Sequence, residues 1–323
     1  MLDGSVGASA LIALVAASML AACSPRSETP PASTGTSKTM PAPEATDVGS
    51  LTIGDFSGKV LRDGDIAFPN DNKIFGVGRA RSEVAALLTA AGLPADELHL
   101  SIQPLLVKTS NRVLLFDTGA GTNMGASGGR LPASMATAGI DPSTITDVFI
   151  SHAHGDHVGG LVNANGALAF PNAAIHISSP EWALLREMTA ETAAGAAIAQ
   201  HPALIAAMAP KVVEFAPGAD VIPGVIKAVE IRGHTPGHSG YLIGSGQNSL
   251  LYIGDALHHF VVSVQKPEWT IAFDADASTA ERSRSELLAR SAASNQRIHA
   301  VHFPFPGLGK IERRADGFIW VAE

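Results

Sequence analysis

A chain of 323 residues has room for one large domain or two ordinary ones. With 46% hydrophobic residues it can build a sizeable core, and a formal net charge of −8 argues against a nucleic-acid partner, which calls for a basic surface. The only cysteine is Cys23, which excludes an internal disulfide.

Ala8 to Ala22 is a small, apolar run, short for a membrane span and well placed as the apolar region of an export signal. It runs into Leu20-Ala21-Ala22-Cys23-Ser24, which resembles a bacterial lipobox, where the cysteine is lipidated after cleavage. Residues 1–22 therefore read as a lipoprotein-type signal, with Cys23 anchoring the chain to a membrane on its periplasmic side. An ordinary secretory signal with an incidental cysteine is the alternative. The first ten residues lack the usual Lys or Arg and contain Asp3, which puts the assigned start in question. Residues 23–48 are rich in Pro, Ser, Thr and Ala without apolar periodicity, and read as a flexible tether. Residues 49–323 show neither an internal repeat nor a second linker, and read as one domain.

Within that domain, LTIGDF, GKVLRDG, LSIQPLLVKTS and RVLLFDTG are short β-like runs separated by turn residues. Val84, Leu87 and Leu88 stand at helical spacing within Arg81–Ala91. Residues 67–78, AFPNDNKIFGVG, form an apolar-tipped loop that reads as a lid over a site or a surface connection. Gly125-Ala-Ser127-Gly-Gly129 fits the G-x-S-x-G pattern of serine hydrolases, yet the residues before it are a loop, not the strand a nucleophile elbow needs. Ser127 is read as a decoy. Ser179-Pro180-Glu181 and Ser278-Thr-Ala-Glu281 signal helix starts, and the alanine-rich stretch 190–209 reads as helical, with His201 exposed on it.

The chemistry is concentrated in His152-Ala-His154-Gly-Asp156-His157, directly after the apolar run Val148-Phe149-Ile150. Imidazole and carboxylate suit divalent zinc, iron, manganese or cobalt, and packing alone does not explain so many of them in six residues. Three further β-like runs end the same way. IKAVEIRG leads to His234, SLLYIG to Asp255 and RIHAV to His302. In sheets flanked by helices, ligands gather beyond the carboxyl ends of strands, so these ends point to one site. Seven side chains suffice for two metals if one carboxylate bridges.

The HxHxDH run, the later Gly233-His234-Thr-Pro-Gly-His238, the Gly254-Asp255 pair and the terminal His302 resemble the metallo-β-lactamase superfamily in order and spacing. Within it, LLFDTGAG, AFPNA, GDALHHFVVSVQKPEW and HFPFPGLGKI look most like the methyl parathion hydrolase and acyl-homoserine-lactone lactonase branch. The resemblance implies an α/β, four-layer αββα sandwich. It implies that His152, His154 and His234 hold one metal and Asp156, His157 and His302 the other, with Asp255 bridging. Asp117 and His238 are then supporting residues behind the ligands. His258 and His259 read as polar pocket wall, and His176 and His299 as structural.

The implied activity is that of a dinuclear hydrolase, zinc being the first expectation and manganese, iron or cobalt the alternatives. A hydroxide shared by the two metals attacks a carbonyl carbon or phosphorus, and Asp255 shuttles a proton. The bridging aspartate favours a small apolar ester, lactone or phosphotriester over a β-lactam. Phe75, Phe260, Trp269, Phe273, Phe303 and Phe305 are candidate pocket walls, several of them equally suited to the core. A serine esterase using Ser127 and a non-catalytic metal- or ligand-binding lipoprotein are the alternatives. Oligomeric state is left open.

Overall fold

The computed structural model describes residues 47–315 and 317–323; the export signal, Cys23 and the tether up to residue 46 lie outside them. The short β-like runs become strands β1 (Val48–Ile53), β2 (Phe56–Leu61), β3 (Gly64–Pro69), β4 (Glu97–Ile102), β5 (Leu105–Lys108), β6 (Val113–Phe116), β7 (Asp147–Phe149), β8 (Ala174–Ser178) and β9 (Val212–Phe215). After them come β10 (Asp220–Ile222), β11 (Ile226–Glu230), β12 (Ser239–Ile243), β13 (Leu250–Tyr252), β14 (Arg297–His299), β15 (Leu308–Arg314) and β16 (Gly317–Ala322). The helices are α1 (Arg81–Ala90), α2 (Leu131–Thr137), α3 (Gly155–Val158), α4 (Ser179–Glu187), α5 (Ala190–Gly195), α6 (His201–Met208), α7 (Val262–Gln265) and α8 (Ala277–Ser294).

Two seven-stranded sheets form, ordered β1-β2-β5-β6-β7-β8-β9 and β10 through β16 in sequence, with β3–β4 as a separate hairpin. Side chains alternate across each strand, and burial follows that alternation. Leu114 and Phe116 of β6 enter a core shared with Leu250 and Tyr252 of β13, between the sheets. Leu115 joins a second core with α2 and α4, while Leu251 joins a third with Leu287 and Leu288 of α8. The layers are therefore helix, sheet, sheet, helix, the αββα sandwich. A fourth cluster packs the β3–β4 hairpin against α1 and Trp269.

Strand direction decides where chemistry can assemble. β13 and β14 are parallel, and β12 is antiparallel to both β11 and β13. So β11, β13 and β14 deliver the chain to one edge of the second sheet.

Several expectations are corrected. β1 begins at Val48, inside the stretch read as tether. Residues 67–69 belong to β3, and in the loop after it Phe75 bridges Ile271 and is buried with Val84, Leu88 and Trp269. Ser178 rather than Ser179 caps α4, and Asp276 rather than Ser278 caps α8 through the Thr279 N–H at 3.1 Å. The alanine-rich stretch splits into α5 and α6 because Ala197 takes a left-handed backbone with φ 58°. His201 is half-buried, its Nε2 2.7 Å from the Leu185 carbonyl oxygen, and not merely exposed.

Candidate metal centre

The run after β7 turns sharply, and His154 stands at the N-cap of α3, the short helix that carries Asp156 and His157. Gly155 is required by contact: a Cβ there would overlap the Ala197 carbonyl oxygen. Its own N–H donates to the Ala196 carbonyl at 2.8 Å, fixing the loop to the turn between α5 and α6. His234 follows β11, Asp255 follows β13 and His302 follows β14, so loops from both sheets converge.

Two groups of ligand atoms result: His152, His154, His234 and Asp255, and Asp156, His157 and His302, each with its atoms within 4.8 Å of one another. In the first, His152 Nε2, His154 Nδ1 and His234 Nε2 form a triangle with sides of 3.0, 3.0 and 3.1 Å. Ligands at a metal–nitrogen distance of about 2.0–2.1 Å in a tetrahedron would lie about 3.3 Å apart, so the triangle is close to the right size. Asp255 faces both groups. Its Oδ2 is 3.4 Å from His234 Nε2, and its Oδ1 is 3.1 Å from His157 Nε2 and 3.0 Å from His302 Nε2.

The surrounding hydrogen bonds show which nitrogens face the centre bare. His157 Nδ1 donates to Asp117 Oδ2 at 2.7 Å, His234 Nδ1 to Asp274 Oδ1 at 3.0 Å and His302 Nδ1 to the Ser101 carbonyl at 2.7 Å. Ser151 Oγ donates to Asp117 Oδ2 at 2.6 Å, so its oxygen accepts from His152 Nδ1 at 3.0 Å. A neutral imidazole has one N–H, so four Nε2 lone pairs point inward. His157 Nε2 and Asp255 Oδ1 are buried with no hydrogen-bond partner. Lone pairs this close to one another and to a carboxylate repel unless a cation lies between them, which is the condition a pair of divalent ions would satisfy.

The electrostatics agree with that. Burial lowers the His157 pKa, but Asp255, Asp156 and Asp117 outweigh it and hold it well above the ordinary value. His302 is raised too, Asp255 and Asp156 overcoming burial. Burial acts against the Asp255 carboxylate, yet His157, His302 and His152 carry its pKa well below the usual range. At the other end, burial presses His234 down to about 3 against the opposing Asp274 hydrogen bond.

Of the supporting residues, Asp117 is wholly buried behind His152 and His157, and His238 Nε2 accepts the Asp255 N–H at 2.9 Å. Three acids were not picked out from sequence. Glu181, at the start of α4, accepts from the Ala153 N–H at 2.7 Å, Thr235 Oγ1 at 2.8 Å and the Gly237 N–H at 2.8 Å, tying the His152 loop to the His234 loop. Asp274 links His234 to the buried Arg284, which donates to it at 2.6 Å. Asp63 accepts three backbone N–H groups from Ala120, Gly129 and Leu131. Only partners far away in sequence reveal such roles.

The centre opens into a cavity of about 320 Å³ whose apolar wall includes Ile66, Phe68, Leu100, Met124, Ala272 and Phe273. Phe273 and His258 therefore line it as expected, and Phe68 was missed inside the stretch read as a loop. Phe75 lies behind Phe273, their rings 6.4 Å apart, and Trp269 and Phe303 are buried in the core. His259, Phe260 and Phe305 line a different depression on the far side of Leu100. His176 is held by Asp147 at 2.9 Å, and His299 is fully buried against Tyr252. Ser127 lies exposed in a single 3-10 turn that no strand enters.

A family model for the metallo-beta-lactamase superfamily matches residues 100–298. Among solved structures, the chain is similar to AidC, a dizinc quorum-quenching lactonase in complex with an N-acyl-homoserine product. That likeness has 30% identity and a TM-score of 0.79, over 85% of this chain and 97% of AidC. It also resembles the hydrolase AbOPH of the β-lactamase superfamily, with 25% identity and a TM-score of 0.76 over 87% of this chain and 98% of that one. A ribonuclease Z of Salinibacter ruber is 39% identical over 79 residues, which is 24% of this chain and 21% of the relative. The chain thus matches about a fifth of the length of that curated relative.

Proposed function

The chain belongs to the metallo-β-lactamase superfamily, and from that premise we propose that it is a dinuclear metal-dependent hydrolase of small, neutral, apolar esters, with a lactone as the preferred case and a phosphotriester as the neighbouring one. The observation that carries this reading is the cavity: a cluster of histidines and aspartates at one end, apolar walls around it, and no Lys or Arg among the residues lining it. A substrate with further anionic groups away from the reacting bond, such as a nucleic-acid chain, would find no Lys or Arg along these walls to hold them. Similarity to a lactonase that holds an acyl-homoserine product supports the lactone over the phosphotriester.

His152, His154 and His234 would hold one ion and Asp156, His157 and His302 the other, with Asp255 between. When bound, such ions supply Lewis acidity and bring the pKa of water towards about 7. The chain's own side chains do the rest. Phe68, Met124 and Phe273 hold the apolar part of the ester and exclude bulk water. Water oxygen bonds to the acyl carbon, the carbon–oxygen bond to the alcohol breaks, and Asp255 passes the water proton to the departing oxygen. We further propose that the enzyme works outside the cytoplasm, anchored through Cys23, a reading supported by the sequence of residues 8–24.

The test is elemental analysis of the purified chain together with a panel of acyl-homoserine lactones, aryl esters and phosphotriesters, each with and without chelator. Bound zinc or a related ion, and turnover that chelation abolishes, are the expected results. Full activity in the metal-free protein would overturn the reading. Inhibition by a fluorophosphonate but not by chelator would point to Ser127, and tight metal with no hydrolysis to a binding protein.

A further inference from the structure

Behind Leu100 lies the depression walled by His259, Phe260 and Phe305, with a volume of about 380 Å³. None of the seven candidate metal ligands lines it. Two of its polar side chains are firmly held and under-used. His259 is 2% exposed, and its Nδ1 accepts the backbone N–H groups of Val261 and Val262, each at 3.2 Å, in the turn that opens α7. A neutral imidazole with an accepting Nδ1 carries its proton on Nε2, and that N–H has no partner among the described residues. Burial, aided by His99, keeps the ring neutral by pushing its pKa down to about 4. The ring stacks on Phe260 at 5.0 Å, and Ser263 Oγ accepts the His259 backbone N–H at 3.1 Å, so the donor is fixed in direction.

Arg62 is the second. Its guanidinium lies over the Phe305 ring, 5.0 Å from the centroid, and its Nε is buried without a partner. Asp65 Oδ1, the carboxylate oxygen paired with it, stays at 3.6 Å. The acids on the same wall are otherwise matched: Asp65 Oδ2 accepts from Arg130 Nη2 at 2.6 Å, and Glu97 Oε1 from His99 Nε2 at 2.7 Å. Buried donors are ordinarily satisfied, so two that are not, on one depression, mark a place for an acceptor. A planar guanidinium matches a carboxylate, and Leu93, Leu100, Phe260 and Phe305 offer apolar surface beside it. We propose that this depression binds a small monocarboxylate with an apolar body, its oxygens on Arg62 and on His259 Nε2. Asp65 and Glu97 on the same wall disfavour a phosphate or a dicarboxylate, whose second charge would face them. Acids of this class are what the hydrolysis proposed above would release, but the binding does not depend on that reading.

The probe is 4-bromobenzoate, titrated by calorimetry into the zinc-loaded wild type, Arg62→Met, Arg62→Lys and His259→Asn. Asn keeps an acceptor near the Nδ1 position for Val261 and Val262 while removing the Nε2 donor. Any binding of the carboxylate to zinc is common to all four proteins, which elemental analysis should find equally loaded. Arg62→Met and His259→Asn should each weaken the site about 10-fold or more, and Arg62→Lys, which keeps the charge without the fork, should weaken it less than Arg62→Met. In wild-type crystals soaked with the probe, the anomalous signal of bromine should lie in the depression. Equal affinity in the wild type, Arg62→Met and His259→Asn would overturn the proposal. So would bromine found only at the metal centre, or in the depression only at crystal concentration. The soak decides the matter even where a variant fails to fold. An ester panel that shows no turnover would end the hydrolase reading and leave this site standing.

Discussion

Asp117 takes donors from three directions: the Ser151 N–H on Oδ1 at 2.7 Å, and Ser151 Oγ, Tyr252 OH and His157 Nδ1 on Oδ2 at 2.6, 2.6 and 2.7 Å. Its backbone is left-handed with φ 55°, a conformation that Asn also tolerates. Asp117→Asn therefore isolates the acceptor chemistry from the backbone. The amide puts N–H groups where donors already point, and His157 loses the partner that fixes its Nε2 lone pair inward. We expect the fold to survive and metal affinity at the Asp156–His157–His302 group to fall about 10–100-fold, measured by competition with a chromophoric chelator. Equal affinity in the two proteins would sink the account of the tautomers. At this scale the candidate ligands stand out in the sequence and their supports only partly so. His152, His154, Asp156 and His157 announce themselves by crowding, and His234, Asp255 and His302 by standing at strand ends. Glu181 looks like an ordinary first-turn helix acid, because Thr235 and Gly237, the groups it binds besides Ala153, are more than 50 residues away. Asp274 is hidden too, because His234, the imidazole it orients, lies 40 residues away.

Strands and helices carry two further expectations. β7 is a short central strand, and its Asp147 is stitched to Arg112 Nη1 at 2.9 Å, Thr146 Oγ1 at 2.6 Å and His176 Nε2 at 2.9 Å. Burial opposes its charge, but His176, Thr146 and Arg112 together bring its pKa from 3.8 down to about 2. A depressed carboxylate pKa stabilises the fold above the unfolded value and loses that contribution as pH falls through the folded one. The Asp147 contribution, roughly 1–2 kcal/mol with Arg112 partly screened by solvent, should therefore fade between about pH 4 and pH 2 and be missing from Asp147→Asn at neutral pH. Denaturant titrations of both proteins across that range check it; parallel pH profiles would contradict it. The glycine pair after the metal-binding run is the second case. A Cβ on Gly160 would overlap the Thr118 carbonyl oxygen, so Gly160→Ala should cost about 1–3 kcal/mol by forcing apart the two loops that carry Asp117 and His157. An unchanged denaturation midpoint would show that the loops can yield. The elements themselves were read well where alternation was clear, as in β6. They were read poorly where the signal is tertiary: residues 67–69 look like a loop until β4 pairs with them, and nothing in an alanine-rich run foretells the turn at Ala197.

At the scale of the molecule, the centre is divided between the sheets. His152, His154, Asp156 and His157 leave the first sheet, while His234, Asp255 and His302 leave the second. The αββα order could be anticipated from the resemblance, but this division could not, since it depends on which face of each sheet the strands present. Metal bound there would be a structural tie as well as a reagent. Each ion that binds only the folded chain, present at 1,000 times its Kd, adds about 4 kcal/mol to stability. For a domain of this size, removing even one such ion lowers Tm by roughly 10 °C. Metal-free protein should accordingly unfold earlier, and readdition of zinc should restore the transition. Asp255→Asn sharpens the test, because the amide cannot bring two anionic oxygens to the two groups at once. It should keep the fold, bind fewer than two ions by elemental analysis, and gain correspondingly less in Tm from added zinc than the wild type does. A chelated wild type with an unaltered Tm would mean that the sheets hold the seven side chains together without help, and that metal serves the chemistry alone.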